Sequence, residues 1–219
     1  MAIPAKKTSH KEIAFLSQSE LNTYLNLIDT NSRKGLRDYT LVVLMYDSAA
    51  RVQEIINLSV NDLKLDEKPS VTLYGKGNKY RSIPITNNTK ELLMNYIKLF
   101  NLNNFEYLFS GNDKKQATTK MITHIIKKYA NKSNINKNIH PHVFRHSRAM
   151  HLLEAGISLV DIRDILGHVS VTTTEIYAKT NIELKRKAIL DVYDSSSSIE
   201  VEENCWNKDT SILEELLDL

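Results

Sequence analysis

The sequence lacks the features that would place it outside an ordinary cytoplasm. One cysteine, Cys205, excludes an internal disulfide framework and any cysteine-rich zinc site. Cysteine usage this sparse suits a reducing compartment, so the expected location is cytoplasmic. No apolar run approaches the roughly 20 residues needed to span a membrane. The segment Met1 to Lys11 has no apolar core of the kind a secretory signal needs. Internal repeats are absent. What remains is 219 residues with 42% hydrophobic and 25% charged residues, enough for a core and one generous domain with appendages.

A net charge of +3 looks uninformative, but its distribution is uneven. Residues 191–219 hold nine acids against Lys208 alone, a net charge of −8. The first 190 residues hold 28 bases and 17 acids, a net charge of +11. A basic body suggests a polyanionic partner. The stretch with Lys114, Lys115, Lys120, Lys127, Lys128, Lys132 and Lys137 reads either as a DNA-backbone contact or as a solvated helix face.

The hydrophobic pattern is mostly helical. Residues 1–14 are polar, basic and aperiodic, and read as an arm or linker. Ser17 with Glu20 three residues on makes a capping-box pattern, followed by Leu21, Tyr24, Leu25 and Ile28 at helical spacing. Further helices are expected over 36–49, 52–58, 88–101, 118–131, 141–155 and 158–166, the last closed by Gly167. A helical turn over 172–177, a helix over 181–193 and a short acidic helix over 212–219 follow the same logic. Residues 195–198, four serines, read as a linker. Two strand-like runs, 70–74 and 81–85, flank the turn cluster Gly75-Lys-Gly-Asn-Lys79, with Pro84 implying an edge or strand end. The expected fold class is mainly α with a small antiparallel β-sheet.

One set of residues carries chemistry. His142 and Arg145 lie three apart in Pro141-His-Val-Phe-Arg-His146, on one helical face. Ile165-Leu-Gly-His168 follows, and then Tyr177. Upstream, Arg51 ends an apolar helix, where it must find an anion or solvent. Glu54 shares its face and is expected to fix an arginine rotamer, with a simple surface salt bridge as the alternative. The hairpin tip supplies Lys76.

In order and spacing, Arg51, Lys76, His142, Arg145, His168 and Tyr177 resemble the tyrosine recombinases, a family that includes phage integrases, Xer recombinases, Cre and the fimbrial invertases. Gly75-Lys-Gly-Asn-Lys-Tyr-Arg81 resembles the Xer-type hairpin, and the resemblance spans about 15–190. It implies a catalytic domain over 15–180, a C-terminal helix over 181–194 and an acidic tail over 195–219. The implied reaction is DNA strand cleavage and rejoining through a 3′-phosphotyrosyl intermediate, serving a mobile element or DNA inversion, with no cofactor. A topoisomerase of type IB and a noncatalytic DNA-binding relative are the alternatives.

The resemblance makes Tyr177 the nucleophile, Arg51 and Arg145 the grips on the phosphate oxygens, and His168 a third phosphate ligand. His142 then accepts the tyrosine proton or orients the phosphate. Lys76 is the general acid, with Lys79 as its rival. Lys79 and Arg81 are expected at backbone phosphates, and His146 is expected to be hydrogen-bonded within its helix. His140, His142 and His146 cluster, but the flanking arginines argue against a metal. Expected partners are double-stranded DNA, further copies in a tetramer on DNA joined through the C-terminal segment, and accessory DNA-bending proteins. No membrane contact is expected. Most relatives also carry a helical core-binding domain before the catalytic one, and only 50 residues precede Arg51 here. The tail is expected to dock on a protein surface or to remain a solubilising appendage.

Overall fold

The computed structural model describes residues 14–75, 80–111 and 115–167. Every described residue belongs to one unit of the chain, which ends at Thr180. The helices expected after residue 167, the hairpin tip and the N-terminal arm lie outside the described residues.

Helix α1 (Gln18–Asn26) starts where the capping box requires. Ser17 Oγ accepts from the Glu20 amide at 3.2 Å, and Glu20 Oε2 accepts from the Ser17 amide at 2.7 Å. The next helix, α2 (Arg33–Asp47), begins three residues before the apolar run, because Ser32 caps it through the Gly35 amide. It is the central element. Leu41, Val42, Leu44 and Met45 are buried, and α4 (Asn87–Phe100) and α6 (Pro141–Glu154) pack against it. A left-handed residue, Ala49 with φ 49°, turns the chain into α3 (Val52–Asn57). Helix α5 (Thr119–Ala130) is capped by Thr118 and joins the core through Ile122, Ile125 and Ile126. Tyr24 links α1 to α5 by donating to the Ile126 carbonyl at 2.9 Å, and its ring meets Phe144 edge-on at 5.3 Å.

Strands β2 (Ser70–Tyr74) and β3 (Tyr80–Pro84) pair antiparallel, with Val71 opposite Ile83. The two-residue strand β1 (Leu63–Lys64) adds to the other side of β2, so β3 is an edge and Pro84 ends it. This is the small antiparallel sheet that the pattern implies, with one strand more. Two residues are too few for a period to show.

A second, smaller apolar cluster joins Ala49, Ala149, Met150, Ile162 and Leu166. It seats α7 (Leu159–Leu166) on α6 beside the Ala49 turn. Ser158 caps the start of α7, and Gly167, with φ +60°, ends it. Among the described residues no helix is long and apolar enough to cross a membrane.

Gly35 marks a close approach. A Cβ there would stand 1.7 Å from the Asp29 carbonyl oxygen, a backbone atom that cannot swing aside. Gly35→Ala is therefore expected to destabilise the fold by about 1–3 kcal/mol, the usual range for a forced backbone shift. Urea unfolding reads this directly; a variant as stable as the parent would show that the Ser32 turn yields without cost.

Candidate active site

The described part of the site is built on one buried carboxylate. Glu54 is 5% exposed, in the first turn of α3. Its Oε2 accepts from the Arg51 amide at 2.7 Å, filling a backbone donor that the helix start leaves over. Its Oε1 accepts from Arg51 Nη1 at 3.0 Å. Arg81 completes the set with a two-pronged bond, Nη1 to Oε1 at 2.8 Å and Nη2 to Oε2 at 2.9 Å. Burial pushes the Glu54 pKa up, but the bonds and charges of Arg81 and Arg51 outweigh it and hold the carboxyl below its ordinary value.

Arg51 caps α3, with its side chain 38% exposed and Nη2 on the Gly167 carbonyl at 3.2 Å. Arg145 comes from the second turn of α6 and is 3% exposed. Its Nη1 donates to the Ala49 carbonyl at 2.7 Å, and its Nη2 donates to the Leu166 carbonyl. The left-handed turn at Ala49 thus supplies an acceptor for one arginine two residues before the other. The consecutive carbonyls of Leu166 and Gly167 each take one arginine. This brings Arg51 and Arg145 together at the end of α7, immediately before His168 in the chain.

His142 lies in the first turn of α6, beside both arginines. Partial burial lowers its pKa, and the positive charges of His140, Arg145 and Arg51 lower it further. His146, one turn on, is pushed down to about 4 by burial first, and then by His142, Arg145 and His140. Both rings are therefore neutral at pH 7, the form that accepts a proton. The rings of His140 and His142 are 6.1 Å apart, and those of His142 and His146 are 6.3 Å apart. No group of three or more potential ligands suited to a metal occurs among the described residues.

Lys76, Lys79, His168 and Tyr177 lie outside the described residues. Arg81 does not occupy the place expected for a phosphate contact. Its side chain is 14% exposed, faces Glu54, and donates through Nε to the Ile165 carbonyl at 2.9 Å. The signal was present in the strand period, since Arg81, Ile83 and Ile85 alternate onto the core face. Of the lysine stretch, Lys128 bonds Asp38 and Tyr129, and Lys137 bonds Glu20 and the Phe15 carbonyl. A concavity of about 550 Å³ lined by Arg33, Arg37, Tyr96 and Phe100 lies at the start of α2 and includes none of the site residues.

His151, without a role in the sequence reading, is buried on α6 with Nδ1 on the Tyr46 hydroxyl at 2.8 Å. Burial lowers its pKa as well. Three histidines thus bind protons less readily folded than unfolded, so stability is full above about pH 6.5 and falls as pH drops below it. His146 and His151 each contribute a slope of up to about 1.4 kcal/mol per pH unit, and His142, more exposed and screened by solvent, contributes less. Unfolding free energy measured from pH 7 to pH 5 should fall, and His146→Gln should flatten the fall by about one proton. An unchanged slope in that variant would assign the loss to other groups.

Known proteins resemble this chain in sequence and in fold. The model of the phage integrase family matches residues 14–183. A tyrosine recombinase of Pseudothermotoga lettingae is 37% identical over 163 residues, covering 74% of this chain and 55% of that protein. The XerD recombinase of Staphylococcus epidermidis is 37% identical over 177 residues, covering 78% of this chain and 60% of the relative. This chain therefore spans little more than half the length of these curated relatives. Among solved structures, the XerA recombinase superposes with a TM-score of 0.72 at 29% identity, covering 83% of this chain and 66% of that one. XerH bound to a palindromic difH substrate gives 0.72 at 21% identity, covering 84% and 54%, a likeness of fold. With its helical frame, small sheet and paired arginines, the chain belongs to the phage integrase family of tyrosine recombinases.

Proposed function

We propose that this chain supplies the catalytic domain of a site-specific DNA recombinase, which cuts and rejoins strands through a 3′-phosphotyrosyl intermediate. The observation that carries the reading is the convergence of Arg51 and Arg145 on the adjacent carbonyls of Gly167 and Leu166, next to His168 in sequence.

The reaction conserves bonds. The Tyr177 oxygen attacks the phosphorus, the bond to the 5′-oxygen breaks, and a 3′-phosphotyrosine forms. A 5′-hydroxyl from a second strand later reverses the step. The phenol, with a pKa near 10, gives up its proton as it attacks. His142, kept neutral by partial burial and its cationic neighbours, is suited to take that proton or to orient the phosphate. Lys76 protonates the leaving 5′-oxygen.

Arg51 and Arg145 stabilise the charge that builds on the non-bridging oxygens, with His168 as the third donor. A buried guanidinium such as Arg145 acts in a low-dielectric surround, where such donors count for more than in water. Lys79 lies on the same hairpin and approaches the DNA backbone. The partner is double-stranded DNA, and exchange between two duplexes requires further copies of the chain, joined through the C-terminal segment. Accessory DNA-bending proteins would assist that assembly, and mobile-element integration or DNA inversion is the context proposed for the reaction.

A nicked duplex that loses a short 5′-hydroxyl fragment on cleavage traps the covalent intermediate. The wild-type chain is expected to yield a protein–DNA adduct that survives denaturation, and Tyr177→Phe is expected to yield none. An adduct of equal yield in Tyr177→Phe would remove Tyr177 from the role of nucleophile.

A further inference from the structure

Arg81 is a cation on the DNA-binding hairpin that does not face outward. We infer that it is a positioning residue for strand cleavage, one that locks the hairpin strand to Arg51 and to the end of α7. The inference rests on the recombinase reading above and adds to it a residue whose bonds run inward.

Four observations converge on it. Its guanidinium bridges three elements, with two bonds to Glu54 on α3 and one from Nε to the Ile165 carbonyl on α7, while its backbone sits in β3. Those partners lie 27 and 84 residues away in the chain, so the bonds join segments that nothing local holds in register. The strand alternation puts Arg81 on the face of buried Ile83 and Ile85. Its side chain is 14% exposed against 38% for Arg51.

The packing at Gly167 gives a fifth. A Cβ at that position would stand 3.0 Å from Arg81 Nη1 and 3.2 Å from both Cδ and Cζ. The Arg81 side chain therefore lies directly against the Gly167 backbone. Position 167 is held to glycine by its φ of +60° and also by this contact. Arg81 thus touches the last residues before His168 while gripping the carboxylate that aims Arg51.

The charges explain why a second arginine is needed. Arg51 and Glu54 alone would form a neutral pair, and a phosphate approaching Arg51 would meet a carboxylate just behind it. Arg81 offsets that carboxylate, so the three groups together keep one positive charge for the substrate. A lysine cannot replace it, because one ammonium cannot span both Glu54 oxygens and also reach the Ile165 carbonyl.

The test compares wild type, Arg81→Ala and Arg81→Lys in two measurements. The first is single-turnover cleavage of the nicked duplex at saturating DNA. The second is DNA affinity as a function of salt. Both variants are expected to cleave at least tenfold more slowly at saturation, with the slope of log affinity against log salt unchanged. A phosphate contact would instead reduce that slope by about 0.9 in Arg81→Ala and leave cleavage at saturation intact. That result, or rescue of the rate by Arg81→Lys, overturns the inference. Arg81→Lys keeps the charge and the apolar stem, so the comparison stands if Arg81→Ala does not fold. If the wild type forms no tyrosyl adduct, the recombinase reading fails on its own evidence. The salt slope of Arg81→Ala then decides the inference: a wild-type slope keeps Arg81 inward, and a loss of about 0.9 refutes it.

Discussion

The arrangement depends on one buried carboxylate shared by two guanidiniums. Glu54 is almost wholly withdrawn from water, where an unpaired charge would cost several kcal/mol. It is tolerated because Arg81 and Arg51 donate four side-chain and backbone hydrogen bonds to its two oxygens. Those bonds run in both directions. They keep Glu54 ionised, and they hold Arg51 in one orientation at the mouth of the site. Charge-assisted, two-pronged bonds of this kind fix direction as well as energy.

Around that carboxylate the backbone does more than carry side chains. The left-handed turn at Ala49 separates α2 from α3 and presents a carbonyl to Arg145. Helix α7 ends at Gly167 with the carbonyls of Ile165, Leu166 and Gly167 taken by Arg81, Arg145 and Arg51 in turn. Three arginines from three elements thus cap one helix end, where the helix dipole favours positive charge. The apolar cluster of Ala49, Met150, Ile162 and Leu166 sets the distances among them. The geometry of the candidate site and a small patch of core are the same structure seen from two sides.

Much of this was legible in the sequence, and the exceptions share a cause. The Ser17–Glu20 box, the strand pair with Pro84 at its end and the stop at Gly167 are local signals, and each appears where the sequence puts it. Local spacing put Glu54 on the face of Arg51 and His142 on the face of Arg145, but only the family resemblance joined the two pairs into one candidate site. Helix α2 begins at Arg33 and not Leu36, since its start is set by the Ser32 cap and a glycine under Asp29, not by apolar residues. The inward turn of Arg81 depends on partners far along the chain, and residue type alone suggests a phosphate contact. Its alternation with Ile83 and Ile85 was the local trace of that burial. His151 carried no such trace, because its Tyr46 partner sits on another helix.

If Arg51 grips the phosphate as proposed, Glu54 sets that grip by holding the guanidinium in place. The most direct measurement is the single-turnover rate of phosphotyrosyl formation by Glu54→Gln at saturating DNA. The substitution keeps shape and removes the charge. A rate at least tenfold below wild type, with the fold intact by circular dichroism, is the result expected when a charged anchor for the arginine is lost. A wild-type rate would contradict it, and would mean that Arg51 finds the phosphate without the carboxylate behind it.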